Sequence, residues 1–233
     1  MKVSKKGWLY ISIAIIIIDW IYQIVFKETT KVLPSNLFDL VVLIGKVKII
    51  HFLIVYALLR LQGENFEQLG FSKIKVLPQI LRGAVFGVGI FFLANIILNS
   101  IILRSIFPTS SSNSTSMLEH FKDLNSVFVW IIIGIVGGGF VEEFERIFVI
   151  TRFKNWLGNP GIFIALFIGS IAFGFSHLYQ GTNNAITAGF AGLMNGLVYL
   201  RKGSAIEAIT SHAVFDTLGI LIGYAIMNHH LTH

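Results

Sequence analysis

The sequence predicts an all-α polytopic membrane protein of seven or eight transmembrane helices, forming a single membrane domain over residues 1–233 with a polar cavity inside the membrane. Three observations carry this. Of 233 residues, 55% are hydrophobic and 13% charged, with a mean hydropathy of +0.76, far too apolar for a water-soluble domain of this length. Apolar runs close to the roughly 20 residues that cross a bilayer recur along the chain, and no stretch has the composition of a separate soluble domain. Phe and Gly, at 21 and 22 residues, are both abundant, as in transmembrane helices and their close contacts.

Composition also excludes chemistry. The chain has no Cys, which removes disulfides, zinc–thiolate sites and a cysteine nucleophile together. The net charge of +6 sits in short loops beside hydrophobic runs, which reads as topology and contact with membrane lipid. No nucleic-acid face is expected.

Taken in order, Lys2, Lys5 and Lys6 precede an apolar run with no small-residue cleavage site after it, so a first helix is expected over 7–27 with a cytoplasmic N-terminus. Asp19 within it reads as a satisfied polar contact. A second helix over 37–61 is amphipathic in its first half through Lys46, Lys48 and His51. The connection around Arg60, Lys73, Lys75 and Arg82 is basic and so cytoplasmic. A third helix is expected over 78–105, then a polar loop, Pro108–Ser116, in which Asn113-Ser-Thr formally matches a glycosylation acceptor. A helix or helix pair over 123–157, bent near Gly137–Gly139, is followed by helices over 160–179, 182–200 and 204–228, with Arg201-Lys202 at a further cytoplasmic edge. No internal repeat is evident.

Three sites break the hydrophobic pattern of the last helices. In Gly137-Gly-Gly-Phe-Val-Glu142-Glu143-Phe-Glu145-Arg146, three carboxylates and a guanidinium lie between apolar runs. Each charge at bilayer depth costs about 2.5–3.5 kcal/mol unless paired or facing a wet cavity. Glu142 and Glu143 stand four and three residues before Arg146, so either can pair with it on a helix, leaving at least one carboxylate spare. The second site is Phe173-Gly-Phe-Ser-His177. The third is His212-Ala-Val-Phe-Asp216, whose spacing places an imidazole and a carboxyl on one helix face.

There is no His-Glu-x-x-His, although two His and one Glu could still ligate zinc with a water in the fourth position. Ser176 and Ser211 each precede a His, but adjacent helical residues point about 100° apart, which disfavours a nucleophile–base pair. A carboxylate general base that activates a water with help from a His remains, with a second His and its helix partner stabilising the oxyanion. Counted from the predicted helix ends at 1.5 Å per residue, His177 and His212 differ by ~13 Å in depth, so convergence requires tilt or a shifted boundary.

Glu142-Glu143 followed by an Arg, Phe173-x-x-x-His177 and His212-x-x-x-Asp216, in this order, resemble the CPBP (Abi) family of CAAX proteases and bacteriocin-processing enzymes, which includes the type II CAAX prenyl endopeptidases. The resemblance covers roughly residues 120–225, the expected catalytic core. It implies an intramembrane glutamic endopeptidase without a metal or other cofactor. Carried over, Glu142 and His177 activate the water and His212 and Asp216 form the oxyanion site. Glu143 and Arg146 are the supporting pair, and Phe173 belongs to the supporting motif. Two features depart from the family's pattern. Only Phe144 and Glu145 separate Glu143 from Arg146, where three residues are usual; aligning on the double Glu keeps the base, whereas aligning on Arg146 would put Val141 in its place. Asp216 stands where prenyl endopeptidases tend to have Asn, and it donates a hydrogen bond only when protonated; otherwise it orients His212.

The expected activity is hydrolysis of a membrane-associated peptide or protein, in peptide processing or immunity, by an integral, multi-pass protein of a bacterial cell membrane. A non-catalytic scaffold or immunity protein of the same fold, a zinc-dependent membrane protease and an ion-coupled transporter are the alternatives.

Overall fold

The computed structural model describes residues 3–26, 37–107 and 123–231, and all its regular structure is helical. The Ser-rich stretch from Pro108 and the Asn113 acceptor lie outside the described residues. Helix α1 (Lys5–Ile21) is capped by the Ser4 hydroxyl, which accepts from the Gly7 amide, and continues as a wide π turn over Tyr22–Phe26. Helix α2 spans Leu37–Leu61, and a short 3₁₀ turn, Phe66–Leu69, follows it with a capping box on Asn65. Helix α3 (Val76–Phe91) continues through π-helical Phe92–Leu103 to Ile106. Helix α4 (Leu124–Ile133) widens to π geometry over Gly134–Glu142 and returns to α geometry in α5 (Glu143–Leu157). The bend expected at the glycines is therefore a widened stretch, and the helix is not broken. Helix α6 (Asn159–Ser176) has Pro160 in its first turn, where the missing N–H costs nothing. Helices α7 (Thr182–Lys202) and α8 (Ala205–Leu231) complete the chain.

Six of these helical stretches are long and apolar enough to cross a membrane. Helix α7, expected as a span over 182–200, forms but is too polar to count among them. It packs against α3, α5, α6 and α8 and buries Asn183, Thr187 and Asn195. Of its large apolar side chains only Ile186 and Leu197 are exposed, so a helix covered by neighbours over most of its surface needs little lipid-facing apolar area.

The main core joins α1, α2, α5, α6 and α8 through Trp20, Leu59, Phe144, Phe148, Phe153 and Ala208. Trp20 stacks on Phe153 with ring centres 5.0 Å apart. Arg152, 1% exposed, lies inside this core, bonded to Gln62 and paired with Glu64, its guanidinium 4.8 Å from the Phe148 ring centre. Gln62 in turn donates to Ser12 at 3.0 Å. Charge buried in the core is thus satisfied on three sides, and the network ties α1, the end of α2 and α5 together.

Glycines set the approach of α8. A Cβ on Gly83 would come within 2.6 Å of the Glu207 carbonyl oxygen, and one on Gly139 within 2.8 Å of the Ala213 Cβ. The glycine face of α3 and that of the π stretch therefore grip α8 from two sides, as small residues do where helices approach closely.

Candidate active site

The π stretch and α8 bring the first and third polar motifs together. Glu143, fully buried, forms an ion pair with Arg146, and its Oε1 lies 2.7 Å from His212 Nδ1. Because Glu143 is held by the guanidinium as a carboxylate, the hydrogen of this bond belongs to His212 Nδ1. That leaves His212 Nε2 aimed at two further carboxyl groups, 3.7 Å from Glu142 Oε2 and 3.6 Å from Asp216 Oδ1. The i, i+4 spacing of His212 and Asp216 does place them on one face, as expected.

A Cβ on Gly138 would fall on the Asp216 carboxyl and lie 3.5 Å from His212 Nε2, so the absence of a side chain there is what lets the two helices present these groups to each other. Gly192 on α7 leaves room for Arg146 in the same way, since a Cβ would stand 3.0 Å from Nη2. The Arg146 guanidinium lies 4.7 Å from the centre of the Phe173 ring. The two-residue gap between Glu143 and Arg146 thus supports the i, i+3 pair, and the alignment on the double Glu gives a connected site.

His177 follows the last residue of α6. Its Nδ1 is 2.9 Å from the Phe173 carbonyl oxygen, and its ring centre is 4.5 Å from that of Phe173. The His212 ring stands 6.2 Å from Phe173, nearly perpendicular to it. The two imidazoles therefore flank one phenyl ring, and the depth gap expected from helix ends is closed. The reason is the length of α5. Glu143 is 14 residues before Leu157 while His212 is 7 after Ala205, so α5 runs about 7 residues, roughly 10 Å, beyond the start of α8 before α6 turns back.

One expectation is corrected. Ser176 does reach His177, with Oγ 3.0 Å from Nδ1, because His177 has left helical geometry at φ −104° and ψ 7° and the 100° offset no longer holds. The same hydroxyl donates to the Phe173 carbonyl at 2.8 Å, which makes it a strut for the His177 ring. Arg146 takes Glu143 alone, and the two carboxylates it leaves over meet other basic groups. Glu142 Oε1 is paired with Lys48 Nζ, and Glu145 lies 3.3 Å from His51 Nδ1. Lys48 and His51 are the site neighbours that the sequence did not assign. Their only signal was polarity in the first half of an otherwise apolar second helix, and nothing in the sequence shows that α2 crosses the π stretch.

Glu142, His177, His212 and Asp216 all line one open cavity of about 760 Å³, with Lys48, Phe173, Tyr179 and Gln180 also in its wall. Glu142 and Lys48 also border a second cavity of about 290 Å³, between α1, α2, α5 and α6, that reaches Asp19 and Gln23. Tyr179, in the turn after α6, has its phenol pushed up from its ordinary pKa by burial, so it stays a neutral hydroxyl. Among the described residues, no three His, Asp or Glu side chains are arranged to hold a metal ion.

The fold and the site together define an all-helical membrane protein with a buried acid–imidazole centre that opens into a cavity. Residues 124–218 match the family model described as Type II CAAX prenyl endopeptidase Rce1-like, and the resemblance to CAAX proteases first read from three short motifs is thereby shown for that segment. No curated protein and no solved structure matches the chain.

Proposed function

We propose that the protein is a glutamate-dependent intramembrane endopeptidase that cleaves a membrane-associated peptide or protein without a metal ion, serving peptide processing or immunity in a bacterial cell membrane, with its N-terminus cytoplasmic. The observation that carries this reading is the meeting of Glu142, His177, His212 and Asp216, from the π stretch, the turn after α6 and α8, on the wall of one cavity.

In the proposed reaction a water between Glu142 and His177 gives its proton to the Glu142 carboxylate as its oxygen bonds to the scissile carbonyl carbon. Lys48 balances the carboxylate through Oε1 and leaves Oε2 for the water. Negative charge then develops on the carbonyl oxygen. His212 stabilises it when Nε2 carries a proton, the resulting imidazolium being balanced by Glu143 at Nδ1, and a protonated Asp216 adds a second donor. Collapse of the tetrahedral intermediate breaks the C–N bond, and the proton held by Glu142 passes to the departing amine. Arg146 keeps Glu143 in place and touches no reacting atom.

Purified protein in liposomes should cleave a quenched fluorescent farnesylated CAAX-type peptide, and Glu142→Gln should lower the rate ~10²-fold or more with the fold intact. Chelators should leave the wild-type rate unchanged; loss on chelation with restoration by zinc would replace this reading with a zinc peptidase. One observation favours a second reading, a non-catalytic scaffold or immunity protein: Lys48 already occupies one oxygen of the proposed base. Under that reading Glu142→Gln leaves the biological function unchanged and no peptide is cleaved.

A further inference from the structure

The larger cavity does not run evenly through the bundle. Beyond Glu142 its wall comes from the first half of α2 at Leu43 and Ile44, the continuation of α3 from Asn95 to Arg104, α4 at Trp130, and the second half of α8 out to Ile226. Because successive helices alternate in direction, all of these segments lie toward the same end of the molecule. It is the end at which Phe26, Leu37, Phe107, Leu124 and the His177–Gly181 turn are found. Exposed Arg104 and Ile226 mark how far the cavity extends that way.

Basic residues gather at the other end. Lys5 and Lys6 precede α1, Lys73 and Lys75 precede α3, and Arg201 and Lys202 close α7. Between the helix ends on the cavity side, the sequence of 27–36 and 107–123 has three basic residues, Lys27, Lys31 and Lys122, against three acids, Glu28, Glu119 and Asp123; Arg104 adds one cation, and 177–181 holds neither sign. Short loops rich in Lys and Arg stay on the cytoplasmic side. Helix α8 shows the same polarity. Its buried Glu207, near the basic end, is held by Arg82 at 2.7 Å and Arg201 at 2.5 Å, while its far half lines the cavity.

We infer that the catalytic cavity opens on the non-cytoplasmic face of the membrane and receives its substrate there. The substrate class is a peptide segment already exported, or tethered to the outer leaflet by a lipid. The wall suits an extended chain. Asn99 donates to Asn184 at 3.0 Å within it, and Gln180 and Tyr179 stand beside the site, offering amide and hydroxyl partners to a peptide backbone along an otherwise apolar passage. The substrate's being a peptide rests on the endopeptidase reading above; the direction of the opening does not.

The chain has no cysteine, so a single introduced thiol reports alone. Asn99→Cys and Ile226→Cys sit in the cavity wall, and Lys73→Cys sits at the basic end. In right-side-out spheroplasts a membrane-impermeant maleimide should label the two cavity positions at least ~10-fold faster than Lys73→Cys, the thiolate reacting only where water reaches it, and permeabilisation should abolish the difference. Faster labelling of Lys73→Cys, or no labelling of either cavity position before permeabilisation, overturns the inference. In the second arm the fluorescent farnesylated peptide is supplied to sealed right-side-out and to inverted vesicles. Cleavage confined to the right-side-out vesicles supports outward entry, and cleavage confined to the inverted ones overturns it. Outward labelling with cleavage in neither preparation overturns the peptidase reading and supports an outward opening.

Discussion

His212 Nδ1 and Glu143 Oε1 are 2.7 Å apart, and the carboxylate is fully buried. This contact joins a helix starting at residue 205 to a stretch more than sixty residues earlier, and it fixes which nitrogen of His212 faces the cavity. Arg146 completes the arrangement by holding Glu143, so a guanidinium outside the wall of the larger cavity helps set the orientation of an imidazole within that wall.

Removing either partner should therefore be costly. Glu143→Gln or Arg146→Met leaves one buried charge uncompensated and should lower stability by about 3–5 kcal/mol. The double substitution should cost less than the two single ones together, because neither charge is then stranded. Denaturation in detergent, followed by intrinsic Trp fluorescence, checks both statements.

Gly138→Ala tests the approach of the π stretch to α8. Its methyl would occupy the position of the Asp216 carboxyl, so turnover should fall ~10²-fold or more while the helical circular dichroism spectrum is unchanged. Gly45→Ala, which meets nothing within 4 Å, is the control.

Lys48 should matter to chemistry more than to binding. Lys48→Met removes the cation paired with Glu142 and should lower kcat about 10-fold or more with KM little changed, whereas Lys48→Arg should recover much of the loss. Steady-state kinetics on the fluorescent peptide give the split directly.

Arg152 should behave oppositely. Held by Gln62 and Glu64 and stacked on Phe148, it lies about three helical turns from Glu142 along the chain. Arg152→Met should reduce thermal stability by ~3 kcal/mol or more yet leave the turnover of folded protein near wild type. Melting temperature and active-site-normalised rate separate the two effects.

Much of this was legible in the sequence because membrane helices announce themselves. Residues 37–61 and 123–157 were bounded to within a residue, since lipid demands continuous apolar surface and punishes polarity. The site was legible for the same reason: Glu142, His177, His212 and Asp216 are costly in lipid, so their presence called for a shared cavity. What stayed hidden depended on which helices cross. Lys48 reads as an amphipathic edge until α2 is seen against the π stretch, and Ser176 reads as misdirected until His177 is seen to leave the helix. Helix α7 lay in between, its start fixed by Gly181 and its end placed at 200, two residues short of Lys202, and its packing against four other helices was not recognisable.

That helix bears on a question of parity. Six hydrophobic segments alone would return the chain to the face where it started. Because Thr182–Lys202 runs between α6 and α8 as a further antiparallel helix, Lys5 and Asn228 finish at opposite poles of the molecule. Reporter fusions at those two positions should fall in different compartments, and a count based on oiliness alone would assign them to the same one.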